Sequence, residues 1–137
     1  MKRIFTTQQV QNFGKLISDE NPLHRSIDNT QSSSRVIVHG MLSASVFSSI
    51  FGTLIPGSIY RSQSFSFNSP VYSDEHVIGR VKVVKVKDLR KGKLVTCDTI
   101  VYQEDLGDKN LSTKKECVKE MKKCVQGLAE VWLPGVR

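Results

Sequence analysis

At 137 residues the chain has the size of one domain, and a 39% hydrophobic content is enough for a packed core. A net charge of +7 with three cysteines at unpaired spacings excludes an acidic protein and a disulfide framework, and points to a reducing compartment. No apolar run approaches the roughly 18–20 residues of a bilayer-spanning helix. Residues 1–5 carry no apolar signal core and are too short for an amphipathic transit segment. The whole of residues 1–137 reads as a single domain without internal repeats.

Residues 2–6 form a short strand-like entry, and Thr6 or Thr7 can cap a helix. Val10, Phe13, Leu16 and Ile17 then fall on one stripe at helical spacing, with Gly14 weakening the helix slightly. That helix ends near Ser18, so Asp19 opens a turn. Pro22 fixes its own φ and pushes Asn21 out of the helical region, so Asp19 and His24, five positions apart, sit on a stiff turn rather than on one helical face. Such a turn is a good support for an acid and a base that share one water. Residues 25–35 are polar and rich in Ser and read as a loop.

Val36-Ile37-Val38 leads into His39-Gly40, a glycine whose bare backbone N–H can meet a ligand oxygen at a helix mouth. Residues 41–55 are apolar on nearly every side, with Leu42, Val46, Phe47, Ile50, Phe51, Leu54 and Ile55 supplying bulk, and read as a buried helix ended by Pro56-Gly57. The remainder reads as β. Residues 58–67 alternate, with Ile59, Phe65 and Phe67 on one face, and Pro70 belongs at an edge, a bulge or a strand start. Strands are expected over 76–87, 94–103 and 125–133, with a turn at 90–93 and a break at 104–110. Thr113 with Glu116 offers a capping box, so residues 111–123 read either as a short lysine-rich helix or as a flexible loop. Cys97 lies in a strand-like run and reads as a small core residue; Cys117 and Cys124 have no His near them in sequence, which argues against a metal site.

Asp19-x-Asn21-Pro22-x-His24 followed by Val38-His39-Gly40-Met41-Leu42 resembles the MaoC-like dehydratases, or R-specific enoyl-thioester hydratases. The resemblance continues through Ser48, residues 56–60 and 63–67, and Ser69-Pro70-Val71-Tyr72. It implies an α+β hot-dog fold, an antiparallel sheet wrapped around a long central apolar helix, acting as a homodimer. It implies reversible water addition across the C2–C3 bond of a trans-2-enoyl thioester, that is, a (3R)-hydroxyacyl-thioester dehydratase of fatty acid metabolism. No metal or redox cofactor is implied; the substrate carries the pantetheine of coenzyme A or of acyl carrier protein. Asp19 and His24 are the implied catalytic pair, Gly40 N–H the implied oxyanion donor, and Ser48 an implied neighbour of the pair. Asn21 is expected to brace the turn through side-chain-to-backbone bonds. Stand-alone single-domain forms in eukaryotes resemble mitochondrial fatty-acid-synthesis dehydratases, which implies the mitochondrial matrix; the cytoplasm is the alternative.

The chain departs from the family pattern at Ser18, where a glycine is usual, at the bulky Arg25 after His24, at Ser26 with Asp28 displaced, in its short first strand, and over residues 111–123. Each site residue also has a bland reading on its own. Asp19 can be a helix-terminal turn residue, His24 a half-exposed loop histidine, Gly40 a turn glycine and Ser48 a small packing residue. His39 reads as a structural residue bonding its neighbours and stays outside the catalytic set. The positive charge clusters at 82–93 and 109–123, either as solvated faces or to attract an acidic partner such as coenzyme A phosphates or a carrier protein. Nucleic acid as partner lacks support: there is no zinc ligand set, helix-turn-helix pattern or basic-aromatic motif. Two rivals remain. A thioesterase-like hot-dog hydrolase needs a carboxylate on the central helix, and residues 41–55 contain no Asp or Glu. A non-catalytic acyl-thioester-binding module has no need of both Asp19 and His24.

Overall fold

A computed structural model of the chain describes residues 1–25, 35–104 and 120–135. The Ser-rich stretch from Ser26, with Asp28, the break around 105–110, the Thr113–Glu116 capping box and Cys117 lie outside the described residues. The elements run β1 (Lys2–Ile4), α1 (Thr7–Ile17), a 3-10 turn (Pro22–His24), α2 (Gly40–Leu54), β2 (Ile59–Gln63), β3 (Ser66–Phe67), β4 (His76–Leu89), β5 (Gly92–Glu104) and β6 (Met121–Pro134). One antiparallel sheet holds all the strands in the order β1-β4-β5-β6-β2, with β3 also on β6.

Helix α2 lies on this sheet and touches β4, β5 and β6. Its contact with β4 is close enough that a Cβ on Gly79 would stand 2.2 Å from Val46 Cγ1. The core is built from Val46, Phe47, Ile50 and Phe51 of α2 with Val77, Val95, Val101, Val125 and Val131 from the sheet. This is the expected curled antiparallel sheet with few helices, and α+β describes it.

The enclosure of α2 is one-sided, contrary to the expectation of a helix buried all round. Ser43, Ala44, Val46, Phe47, Ile50 and Phe51 form its buried stripe, whereas Met41, Ser48 and Leu54 are exposed. A single sheet covers a single helical face; among the described residues no layer lies over the opposite face of α2.

Other expectations shift at the level of register. In α1 only Val10 and Gly14 are buried, and Leu16 is 80% exposed, with Ile17 exposed too. The face that packs runs through Val10 and Gly14, where the glycine admits a neighbouring side chain, and leaves Leu16 and Ile17 at the end of the stripe outside it. The single strand expected over 58–67 is split into β2 and β3, with a register shift at Tyr60/Ser62. Ser64 breaks it: its carbonyl presses so close to Gly127 that a Cβ there would stand 1.8 Å away. Ile59 and Phe67 consequently point outward while Tyr60 and Phe65 pack on the core. Strand β6 begins at Met121, so the last residues of the lysine-rich segment are strand rather than helix or loop, held by pairing with Tyr102–Glu104. At the other hairpin Gly92 and Lys93 already belong to β5. Cys97 is buried in β5, as its apolar neighbourhood in sequence suggested.

Candidate active site

The site begins with a capped helix. Thr6 Oγ1 accepts from Gln9 N–H at 3.1 Å and Gln9 Oε1 accepts from Thr6 N–H at 3.0 Å, a reciprocal capping box at the start of α1. Thr7 Oγ1 donates to Asp74 Oδ2 at 2.5 Å, pinning that end to the loop before β4. At the other end Ser18 takes the left-handed conformation with φ 57°, and Asp19 N–H donates to Gly14 O at 2.9 Å. The left-handed residue is what turns the chain sharply enough to aim Asp19 back at the helix, and it explains why glycine suits this position.

Asp19 divides its two oxygens. Oδ1 accepts from Asn21 N–H at 3.0 Å, while Asn21 Oδ1 accepts from Leu23 N–H at 3.1 Å and caps the 3-10 turn. Asn21 thus braces the turn in the expected way. Oδ2 is left facing His24 Nε2 at 3.7 Å. His24 Nδ1 lies 2.6 Å from Ile37 O, and since a carbonyl only accepts, Nδ1 carries the proton and Nε2 is the bare nitrogen of the neutral ring. The segment around Ile37 is fixed by Ile37 N–H to Leu23 O at 3.1 Å and Val38 N–H to Val71 O at 2.8 Å. Arg25 turns outward toward Glu20 at 3.8 Å, so its charge faces solvent at the rim.

His39, set aside in the sequence reading, is in the site. It is 3% exposed, its ring stacks on His24 with centroids 3.7 Å apart, and its Nε2 is also 3.7 Å from Asp19 Oδ2. Neither ring nitrogen has a hydrogen-bond partner among the described residues, so the expected bonding to neighbours is not what holds it. Burial, reinforced by the adjacent His24 and partly opposed by Asp19, pushes its pKa below the usual histidine value. In sequence His39 stands beside Gly40, and only the fold brings it against Gly14, where a Cβ would meet the His39 ring at 3.3 Å. Asp19, His24 and His39 bring three ligand-type atoms within 4.8 Å of one another. The two imidazoles lie only 22° from parallel, so no nearby point falls in both ring planes, as a metal bound to both nitrogens requires.

Two cavities meet at His24. One, of about 450 Å³, has a mixed lining of Val10 and Gly14 with Asp19, His24 and His39 and the charged Lys15, Glu20 and Arg25. The other, of about 560 Å³, is mostly apolar and runs between His24, Gly40, Met41, Phe67 and Val71. Gly40 opens α2, so its N–H has no intrahelical acceptor, and it faces the Phe67 ring so closely that a Cβ would stand 2.8 Å from Cε1. Ser48 is exposed on α2 and lines neither cavity.

A sequence profile described as MaoC like domain matches residues 2–105. The chain belongs to the MaoC-like family. It is 39% identical over 92 residues to the (R)-specific enoyl-CoA hydratase of Aeromonas caviae, covering 64% of this chain and 69% of that protein. It is 30% identical over 103 residues to the mitochondrial 3-hydroxyacyl-[acyl-carrier-protein] dehydratase of Arabidopsis thaliana, covering 74% of this chain. The chain spans 62% of the length of that plant relative and 64% of the tomato relative. The solved structure of the A. caviae (R)-hydratase superposes with a TM-score of 0.73 at 33% identity, covering 98% of this MaoC-like chain and 92% of that one. The unliganded R-hydratase PhaJ1 of Pseudomonas aeruginosa gives 0.72 at 26% identity, covering 98% and 77%. Hot-dog thioesterases at 9 and 11% identity share the fold alone.

Proposed function

We propose that this MaoC-like protein is a (3R)-hydroxyacyl-thioester dehydratase, equally an R-specific trans-2-enoyl-thioester hydratase, working in fatty acid metabolism on thioesters of coenzyme A or acyl carrier protein. One observation carries the chemistry. Asp19 Oδ2 and His24 Nε2 are two bare acceptors 3.7 Å apart, each fixed by a hydrogen bond at its other polar atom. A water between two acceptors must donate both of its hydrogens, which leaves its lone pairs pointing away from the pair and toward a substrate. Addition moves one proton net. The water oxygen bonds C3, the proton it sheds goes to the Asp19/His24 pair, and a proton from that pair reaches C2.

The apolar cavity between His24 and Gly40 suits the acyl thioester. Gly40 N–H at the start of α2, with the helix dipole behind it, suits the enolate-like oxygen. No redox or metal step is needed, because the reaction is a proton transfer coupled to C–O bond formation. Helix α2 bears no carboxylate, which speaks against hydrolysis of the hot-dog thioesterase type. The mitochondrial names of the plant relatives support the mitochondrial matrix as the compartment in a eukaryotic host. The exposed Met41 and Leu54 on the uncovered side of α2 support a homodimer.

The test is an absorbance assay. Crotonyl-coenzyme A is expected to lose its enoyl absorbance with this protein, and (3R)-3-hydroxybutyryl-coenzyme A, not its 3S epimer, to regain it. His24→Ala abolishes both. Hydration at the wild-type rate by folded His24→Ala overturns the site; no hydration of any enoyl thioester by the wild type overturns the function.

A further inference from the structure

We infer that His39 is a positioning residue: a buried imidazole that fixes the plane of His24 by stacking and steadies Asp19 Oδ2 from the side away from substrate. The inference rests on the hydratase reading for its kinetic consequence, and on geometry alone for its structural one. His24 has one in-plane anchor, the 2.6 Å bond from Nδ1 to Ile37 O. A single hydrogen bond leaves the ring free to rock about that axis. The His39 ring, 3.7 Å away and 22° from parallel, removes that freedom. His39 cannot yield, because the edge of Phe13 packs on it at 5.1 Å between centroids and Gly14 closes on its Nε2 side.

A structural slot of this kind is better filled by an apolar ring. His39 nevertheless buries two nitrogens that have no hydrogen-bond partner among the described residues, and a buried polar atom of that kind calls for a role. Its Nε2 and His24 Nε2 lie at the same 3.7 Å from Asp19 Oδ2. In the tautomer with hydrogen on Nε2, His39 points a donor at the carboxylate, whereas His24 Nε2, an acceptor like Oδ2 itself, is left to take a hydrogen from the water. At 3.7 Å neither contact is a hydrogen bond as it stands, and the positioning role requires the His39 contact to shorten when substrate binds. The groups facing His39 are Asp19 from the turn and His24 from the 3-10 turn, with Lys15 of α1 and Glu20 and Arg25 lining the same cavity. Burial lowers the pKa of His39, with the adjacent His24 adding to this and Asp19 partly opposing it, so His39 competes less with the pair for a proton.

The variants His39→Phe and His39→Gln separate ring from donor. His39→Phe keeps the stack and loses the N–H. It is expected to melt no lower than wild type, to keep KM for crotonyl-coenzyme A within about threefold, and to lose about 10- to 100-fold in kcat, with the acid limb of the pH–rate profile moved to higher pH. His39→Gln, a donor without a ring, recovers part of kcat. In 15N relaxation, the His24 ring of the wild type is expected to be rigid, and that of His39→Gln to show exchange broadening. Wild-type kcat and acid limb in both variants overturn the inference. If the wild type hydrates no enoyl thioester, the function falls by itself and the 15N relaxation decides the role of His39: a His24 ring equally rigid in His39→Gln overturns it, and an exchange-broadened one sustains it.

Discussion

Replacing Asp19 by Asn or by Ala separates its two jobs. The Asn21 N–H bond at 3.0 Å needs only one oxygen, and an Asn carbonyl can accept it, so Asp19→Asn keeps the turn. The atom that replaces Oδ2 is then an NH₂ group. It faces His24 Nε2 across 3.7 Å as a donor and fills the acceptor pair that is to hold the water. Loss of a positioned general base typically costs 10²–10⁴ in rate, which is about 2.7–5.5 kcal/mol of barrier. Asp19→Asn is therefore expected to lower kcat for crotonyl-coenzyme A hydration by that factor while its urea midpoint changes little. Asp19→Ala loses the base and the turn bond together, and is expected to be about 0.5–1.5 kcal/mol less stable than Asp19→Asn. Steady-state hydration kinetics and urea melts of the two variants measure both quantities. Wild-type kcat in folded Asp19→Asn refutes the assignment of Oδ2, and equal stability of the two variants refutes the division of labour between the oxygens.

Three further outcomes follow from local geometry. Ser18→Gly relieves a left-handed φ of 57° at some entropic cost in the unfolded chain; a net gain of about 0.5 kcal/mol is expected, seen as a small rise in Tm with kcat retained. Gly79→Ala puts a Cβ 2.2 Å from Val46 Cγ1 and is expected to destabilise by about 1–3 kcal/mol in urea titrations, because α2 and β4 must part to admit it. Finally, the folded-state pKa of His39 lies below its unfolded value of 6.5, so between those two values the unfolded chain binds the extra proton. Stability is expected to fall as pH drops below about 6.5, by at most about 1.4 kcal/mol per pH unit from this group, and to be flat with respect to it above that. His39→Phe removes this slope, and unchanged acid sensitivity in that variant contradicts the burial argument.

What the sequence settled by itself was local or carried by motif. The stiff turn at Asn21-Pro22, the Thr6 cap, the helix from Gly40 and the valine-rich strands are consequences of fixed φ angles, short-range hydrogen bonds and periodicity. All of these act between residues close in the chain. The membership in the MaoC-like family was legible for the same reason, since its signature lies in two compact runs.

The tertiary structure decided what depends on distant segments meeting. Leu16 and Ile17 are bulkier than Gly14, yet Gly14 is the buried one, because the His39 ring arrives there from the start of α2. The strand over 58–67 alternates in sequence but breaks where the Ser64 carbonyl meets Gly127 of β6. The tautomer of His24 is set by Ile37 O, thirteen residues away, and the pairing of His24 with His39 by the backbone bonds that hold Ile37 to Leu23 and Val38 to Val71. Hydrophobic pattern reports which residues seek burial. Which of two candidates obtains it, and which nitrogen keeps its proton, depends on the partner that packing delivers.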